Sequence, residues 1–339
     1  MQPLQLIFNR ANRLRSGWRL IIFTILFLTI EQLIESGLVF FLRAGFGERG
    51  ISFLQSNWGY VAQALELIAA ACVCGWLCGA LLEGLPVRAL GWTRHRGWLR
   101  DLLAGSLVGA ASLLLATIIA TACGGFHFQW ALAGMTASVL KTLLVSGGFF
   151  VLAAAGEESI FRGYPLQTVL RSWPVWLALV PSSVVFARVH LDNPNVVPGF
   201  TFINTAIAGV WLAVAYTRTR SLWFPLGVHW SWNWMMGAVL GLPVSGIDQL
   251  TPAPLLRATD MGPDWITGGA YGIEGGTACT LALLFSTIFI WRTRFVSATE
   301  ELKELTSHEN LTLPQQLSIV ETETTNDAGR PQHVERKTE

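Results

Sequence analysis

Apolar residues run along this chain in stretches long enough to cross a lipid bilayer. A spanning helix needs roughly 20 mostly apolar residues. Eight segments qualify: 18–42, 58–82, 102–123, 137–170, 174–191, 199–217, 221–241 and 269–291. The pattern predicts an all-α, polytopic membrane protein of about eight transmembrane helices. The fourth segment, 137–170, is too long for one perpendicular helix. It holds Gly147-Gly148, the apolar run Phe149–Ala155, and then "GEESIFRGY". Pro165 is expected to break or kink it, with Tyr164 disfavoured in helical geometry. A helix starting near Gly147 puts Glu157 near mid-depth, whereas one starting near Val139 puts it near an end.

The apolar pattern stops at residue 295. Residues 296–339 carry nine of the acidic residues against four basic ones, with no sustained apolar periodicity. The chain therefore divides into a transmembrane helical domain, 1–295, and a disordered, polar, acidic cytoplasmic tail, 296–339. The N-terminal "MQPLQLIFNRANRLRSGWRL" is too polar, and too long before its first apolar run, for a usual cleaved signal. The first helix is read as retained.

Composition agrees with a membrane protein. The chain of 339 residues is 52% hydrophobic and 13% charged, with mean hydropathy +0.47. A soluble domain carries about 25% charged residues. The net charge of +1 gives no reason to expect nucleic acid. Arginines cluster before the first span and after the second, fourth, sixth and eighth. Eight helices with both termini in the cytoplasm satisfy the positive-inside rule. The five cysteines form no pair in a polar loop and read as small packing residues within helices.

Against this background a few polar side chains stand out. The acids within spans are Glu31, Glu35, Glu66, Glu157, Glu158 and Glu274; the histidines are His190 and His229. Ionisable groups in a bilayer usually face a cavity and mark function, though helix ends also carry charge. Arg162 lies four residues after Glu158, so the two share a helix face and can pair. Glu157 then points about 100° away, free for another task. In "GVHWSWNWMM", Asn233 follows His229 by four residues on one face, while Trp230, Trp232 and Trp234 read as lipid-facing or packing bulk.

Peptide hydrolysis inside a membrane needs an activated water, a stabilised oxyanion and a proton for the leaving amine. A poorly solvated carboxylate such as Glu157 is a good base, and His190 can hold the same water. His229 and Asn233 suit an oxyanion hole. Alternatively, Glu157, His190 and His229 could bind zinc and polarise water. The cofactor is thus open between Zn and none. No His-Glu-x-x-His occurs and no Gly-x-Ser-x-Gly, which argues against a zincin and a serine nucleophile elbow.

"EESIFRG" at 157–163, "FARVH" at 186–190 and "HWSWN" at 229–233 resemble the three motifs of the CAAX protease and bacteriocin-processing (CPBP, or Abi) family, in the family's order. The resemblance covers a core at 137–241. It implies an intramembrane endopeptidase, of metalloprotease or glutamic type, with a CAAX-processing-like, peptide-maturation or immunity role. By similarity, Glu157 and His190 activate water, His229 and Asn233 stabilise the oxyanion, and Glu158 and Arg162 form a supporting pair. The implied partner is a membrane-embedded or lipidated peptide or protein, in a prokaryotic plasma membrane. Two other readings stand beside it. One is a proton-coupled transporter, disfavoured because only one interrupted helix is apparent. The other is a non-catalytic membrane immunity or partner protein. Loop 242–268, with four prolines, either caps the chamber or merely connects two spans.

Overall fold

The computed structural model describes residues 7–9, 13–130 and 137–307, and these are predominantly helical. Six helical segments are long and apolar enough to cross a membrane: Ser16–Phe46, Asn57–Glu83, Trp98–Ala122, Ala137–Leu170, Val175–Asp192 and Phe200–Thr219. We label the α-helices within them α1 (Ser16–Phe46), α3 (Asn57–Cys78), α4 (Trp98–Ala122), α5 (Ala137–Phe161), α6 (Tyr164–Leu170), α7 (Val175–Val189) and α8 (Phe200–Thr219). A short α2 (Glu48–Leu54) joins the first two. The two remaining expected spans are shorter. Helix α9 (Trp223–Trp234) is extended by a π-helical turn, Met235–Val239. Helix α11 covers Thr277–Arg292, preceded by α10 (Asp264–Thr267).

The eighth span therefore starts at Thr277 rather than at 269. Gly268 and Gly272 adopt positive φ (83° and 92°), conformations that L residues rarely take, and they fold this stretch into short turns. Glu274, expected inside a span, lies in that connection.

The fourth span is broken as anticipated, but not at the proline. Helix α5 ends at Phe161, and the Gly163 N–H donates to the Glu158 carbonyl at 2.9 Å. A Cβ at position 163 would collide with the Ser159 carbonyl oxygen. Pro165 sits in the first turn of α6, where its missing N–H costs nothing and its fixed φ suits a helix start. The break thus falls one residue before Tyr164, which is helical.

Much of the arginine sits at one end of the bundle, and part of it is not loop charge. Glu83, closing the π-helical turn after α3, accepts from Arg19 at 3.0 Å and from Arg171 at 2.7 and 2.9 Å. Thr168 donates to the same carboxylate at 2.8 Å. All three charged side chains are buried. Two arginines counted toward the positive-inside pattern therefore bind α1, α3 and α6 together. At the same end Arg218 donates to the carbonyls of Thr293 and Val296.

The opposite end carries a small sheet that the apolar pattern did not predict. Strand β1 (Phe126–Trp130) pairs antiparallel with β2 (Leu256–Asp260), Phe128 opposite Ala258. Loop 242–268 is thereby tied to the connection after α4.

The main core gathers Leu113, Trp211, Tyr216, Phe224, Val228 and Met236. Helices α4 and α9 approach unusually closely. A Cβ at Gly105 or Gly109 would collide with the main-chain oxygens of Phe224 and Val228, and one at Gly227 with Leu102 O. A second cluster packs Phe23, Phe27, Ala70, Cys74, Cys78 and Tyr164 between α1, α3 and α6. These cysteines serve as packing atoms.

The segment read as a polar tail does not begin unstructured. Val296 and Leu302 are buried, and Glu300–Ser307 forms helix α12. Its apolar Leu302 packs inward while Glu300, Glu301 and Lys303 face out, an amphipathic turn too brief to read as a pattern. The rest of that segment, from 308, lies outside the described residues.

Candidate active site

Glu157 and Glu158 are adjacent on α5, one turn before it ends. Being successive helical residues, they point in different directions. Glu158 is fully buried, and its Oε1 accepts from Arg162 Nη1 at 3.2 Å and from His229 Nδ1 at 2.9 Å. Arg162 also donates through Nη2 to the Gly209 carbonyl on α8 at 3.2 Å. The anticipated pairing of Glu158 with Arg162 is present. The second bond, to His229, ties α5 directly to α9.

Glu157 faces the other way. Its Oε2 stands 3.7 Å from His190 Nε2 and 3.8 Å from His229 Nε2. That oxygen is buried and makes no hydrogen bond. His190 closes α7, and its Nδ1 lies 2.7 Å from the Phe186 carbonyl. A carbonyl only accepts, so His190 Nδ1 carries a proton, and in the neutral ring Nε2 presents a lone pair. The same logic puts a proton on His229 Nδ1, opposite the Glu158 carboxylate. Three polar atoms from three helices thus converge at separations too long for direct hydrogen bonds.

Depth follows from the break at Gly163. The fourth segment runs from Ala137 to Leu170 as a 34-residue stretch. Helix α6 continues beyond Arg162, so Glu157 is set back from the arginine-rich end by up to about 20 Å of chain at 1.5 Å per residue. Ser182, midway along α7, lies against Phe161 O at 3.4 Å. His190, two turns further along α7, comes level with Glu157. The simplest two-ended topology would have held these groups far apart; the lengthened fourth segment removes that obstacle.

Phe186 organises the cluster. Its ring lies 4.5 Å from that of His190, 5.0 Å from Phe161 and 4.4 Å from the Arg162 guanidinium carbon. The sequence shows it only as an aromatic one turn before His190, which was the available signal. Asn233 follows His229 by one helical turn and is half-buried. The three tryptophans are not mere bulk. Trp230 and Trp234 donate to the Gly147 and Leu143 carbonyls of α5 at 3.0 and 2.9 Å. Trp232 donates to Glu274 Oε1 at 3.0 Å, and Oε2 accepts from the Ser245 N–H and hydroxyl, both at 2.8 Å. Glu274 therefore fastens the 242–247 loop to the helix bearing His229.

The possibility of zinc can be weighed against this geometry. Among the described residues, no group of three or more His, Cys, Asp or Glu side chains is placed to hold a metal ion.

No curated protein and no solved structure matches the chain. Residues 139–235, which contain all three motifs and every side chain of this cluster, match the family model described as Type II CAAX prenyl endopeptidase Rce1-like. The chain thus carries a peptide-hydrolase domain of the CAAX protease (CPBP) family, in an integral, multi-pass membrane protein.

Proposed function

We propose that the chain is an intramembrane endopeptidase whose attacking water is activated by Glu157. The observation that carries this reading is the position of Glu157 Oε2, unpartnered and 3.7–3.8 Å from two imidazole Nε2 atoms. A water among these groups can give one proton to Glu157 while a second is held by the His190 lone pair. Its oxygen then adds to the carbonyl carbon of the scissile peptide.

The resulting oxyanion needs donors. His229 already carries a proton on Nδ1; a second on Nε2 makes it an imidazolium. Its charge and that of Arg162 then balance the two carboxylates Glu157 and Glu158. In that state Nε2–H donates toward the space beside Glu157, and the Asn233 amide adds a second donor from one turn away. Glu157, now protonated, returns its proton to the leaving nitrogen as the C–N bond breaks. Carboxylic acid and amine products result.

Glu158 and Arg162 act as positioning residues: Glu158 holds the His229 ring, and Arg162 holds Glu158. The substrate class is a membrane-embedded or lipidated peptide or protein, a reading supported by the family description of the matched segment. A prokaryotic plasma membrane, with both termini cytoplasmic, suits the short loops and the arginine distribution.

The test is cleavage of a library of lipidated and hydrophobic peptides by the purified full chain. Cleavage should be lost in Glu157→Ala, His190→Ala and His229→Ala. Activity unchanged in all three would sink the proposal. Chelation followed by metal add-back should leave the wild-type rate unaltered; restoration by zinc after loss would replace the metal-free scheme.

A further inference from the structure

A second set of carboxylates lies on the far side of α3. Glu31 is the midpoint of the 31-residue α1, and Glu35 is one turn on. Glu66 of α3 interacts electrostatically with both, and the Glu35 main chain adjoins its carboxylate. Glu66 is only 9% exposed, and its buried Oε1 has no hydrogen-bond partner. Glu35, Gln32 and Ser36 are exposed on α1, with Gln32 donating to Ser36 at 3.2 Å. Glu31, Gln32, Glu35 and Ser36 fall within one broad helix face.

This set is level with the catalytic cluster. A Cβ at Gly156, next to Glu157, would touch Ala64 O and the Leu67 and Ile68 side chains at 3.5–3.7 Å. Glu66 therefore sits at the same depth but turned toward α1. Carboxylates at that depth are costly and call for a partner. The two helices themselves offer none: residues 20–42 and 57–87 contain no Lys or Arg. Arg162 is committed to Glu158, and Arg188 to Asp192. The three acids are not placed to hold a metal ion either. Helix α1 packs through Phe23 and Phe27 but is otherwise largely exposed, with 6% of its apolar window buried.

We propose that Glu31, Glu35 and Glu66 form a docking site for a transmembrane helix of another protein that carries a Lys or Arg near mid-depth. Charge complementarity selects the occupant. The exposed length of α1 provides the surface along which it lies, with Gln32 and Ser36 as further polar contacts. The site is separate from Glu157 and does not depend on the proteolytic reading.

The experiment uses the full chain in liposomes with fluorescently labelled Leu/Ala-rich transmembrane peptides, read by energy transfer. The three peptides differ only at the central residue: Lys, Leu or Glu. The Lys peptide should associate at least tenfold more strongly than the Leu peptide, with the Glu peptide weakest. Glu31→Gln/Glu35→Gln/Glu66→Gln should erase the difference while leaving the Leu peptide's association unchanged. Equal association of the three peptides with the wild type would overturn the proposal, whatever the variant does. So would a Lys preference that survives in the folded triple variant.

Discussion

Glu158 Oε1 lies 2.9 Å from His229 Nδ1, while the neighbouring carboxylate faces the same ring's other nitrogen at 3.8 Å. Two consecutive residues of α5 thus grip opposite edges of one imidazole on α9. One contact is a hydrogen bond that fixes the ring; the other leaves a gap wide enough for a reacting atom. Different consequences are expected from removing each.

Glu157→Gln keeps the shape and removes the base. Peptide cleavage should fall by about 10²–10⁴-fold, the usual contribution of a general base. Thermal stability should barely move, because the buried oxygen has no hydrogen-bond partner to lose. Single-turnover cleavage and thermal unfolding of the same preparation check both halves.

Asn233→Ala should act on the transition state. Loss of one oxyanion donor costs about 10²–10³-fold in kcat, with KM little changed. A fall in peptide affinity at constant kcat would instead assign Asn233 to binding.

Arg162→Ala leaves Glu158 buried beside His229 without its cation. Breaking a buried pair costs about 3–5 kcal/mol. The folded protein should be destabilised accordingly in chemical denaturation, and any folded fraction should cleave poorly. Glu158→Ala should couple strongly to it, so the double variant should lose much less than the sum of the singles.

Glu83→Ala provides the contrast. It removes the carboxylate that Arg171 holds through two bonds and Arg19 through one, and should cost about 3–5 kcal/mol. The rate per folded molecule should stay near wild type, since Glu83 serves the packing of α1, α3 and α6. Arg171→Lys should be only a partial substitute, because its two bonds to Glu83 use the guanidinium fork. Denaturation curves with activity normalised to folded protein test this.

The apolar runs disclosed the helices because hydrophobic length is a property of consecutive residues. The site was legible to a similar degree: rare polar groups in lipid-length segments must have partners, and Glu158–Arg162 is a local i,i+4 pair. What could not be read was long-range. Nothing in the order of residues says that His229 turns its Nδ1 to Glu158, or that Glu83 collects arginines from positions 19 and 171. Tryptophans 230, 232 and 234 look apolar in sequence, yet each spends its one N–H on a distant acceptor. The β1–β2 pairing joins segments more than a hundred residues apart, and its strands are too short to stand out. Gly163 was hidden by the stronger signal of Pro165.

The glycine contacts between α4 and α9 carry one further implication. These helices touch backbone to backbone, and the β1–β2 pair bridges the connections that leave them. They behave as a single stiff plate with His229 mounted on it. Admission of a polypeptide to Glu157 must then be achieved by the helices facing that plate. A covalent cross-link within the α4–α9 pair should leave turnover intact, whereas one joining α7 to α5 should lock the door.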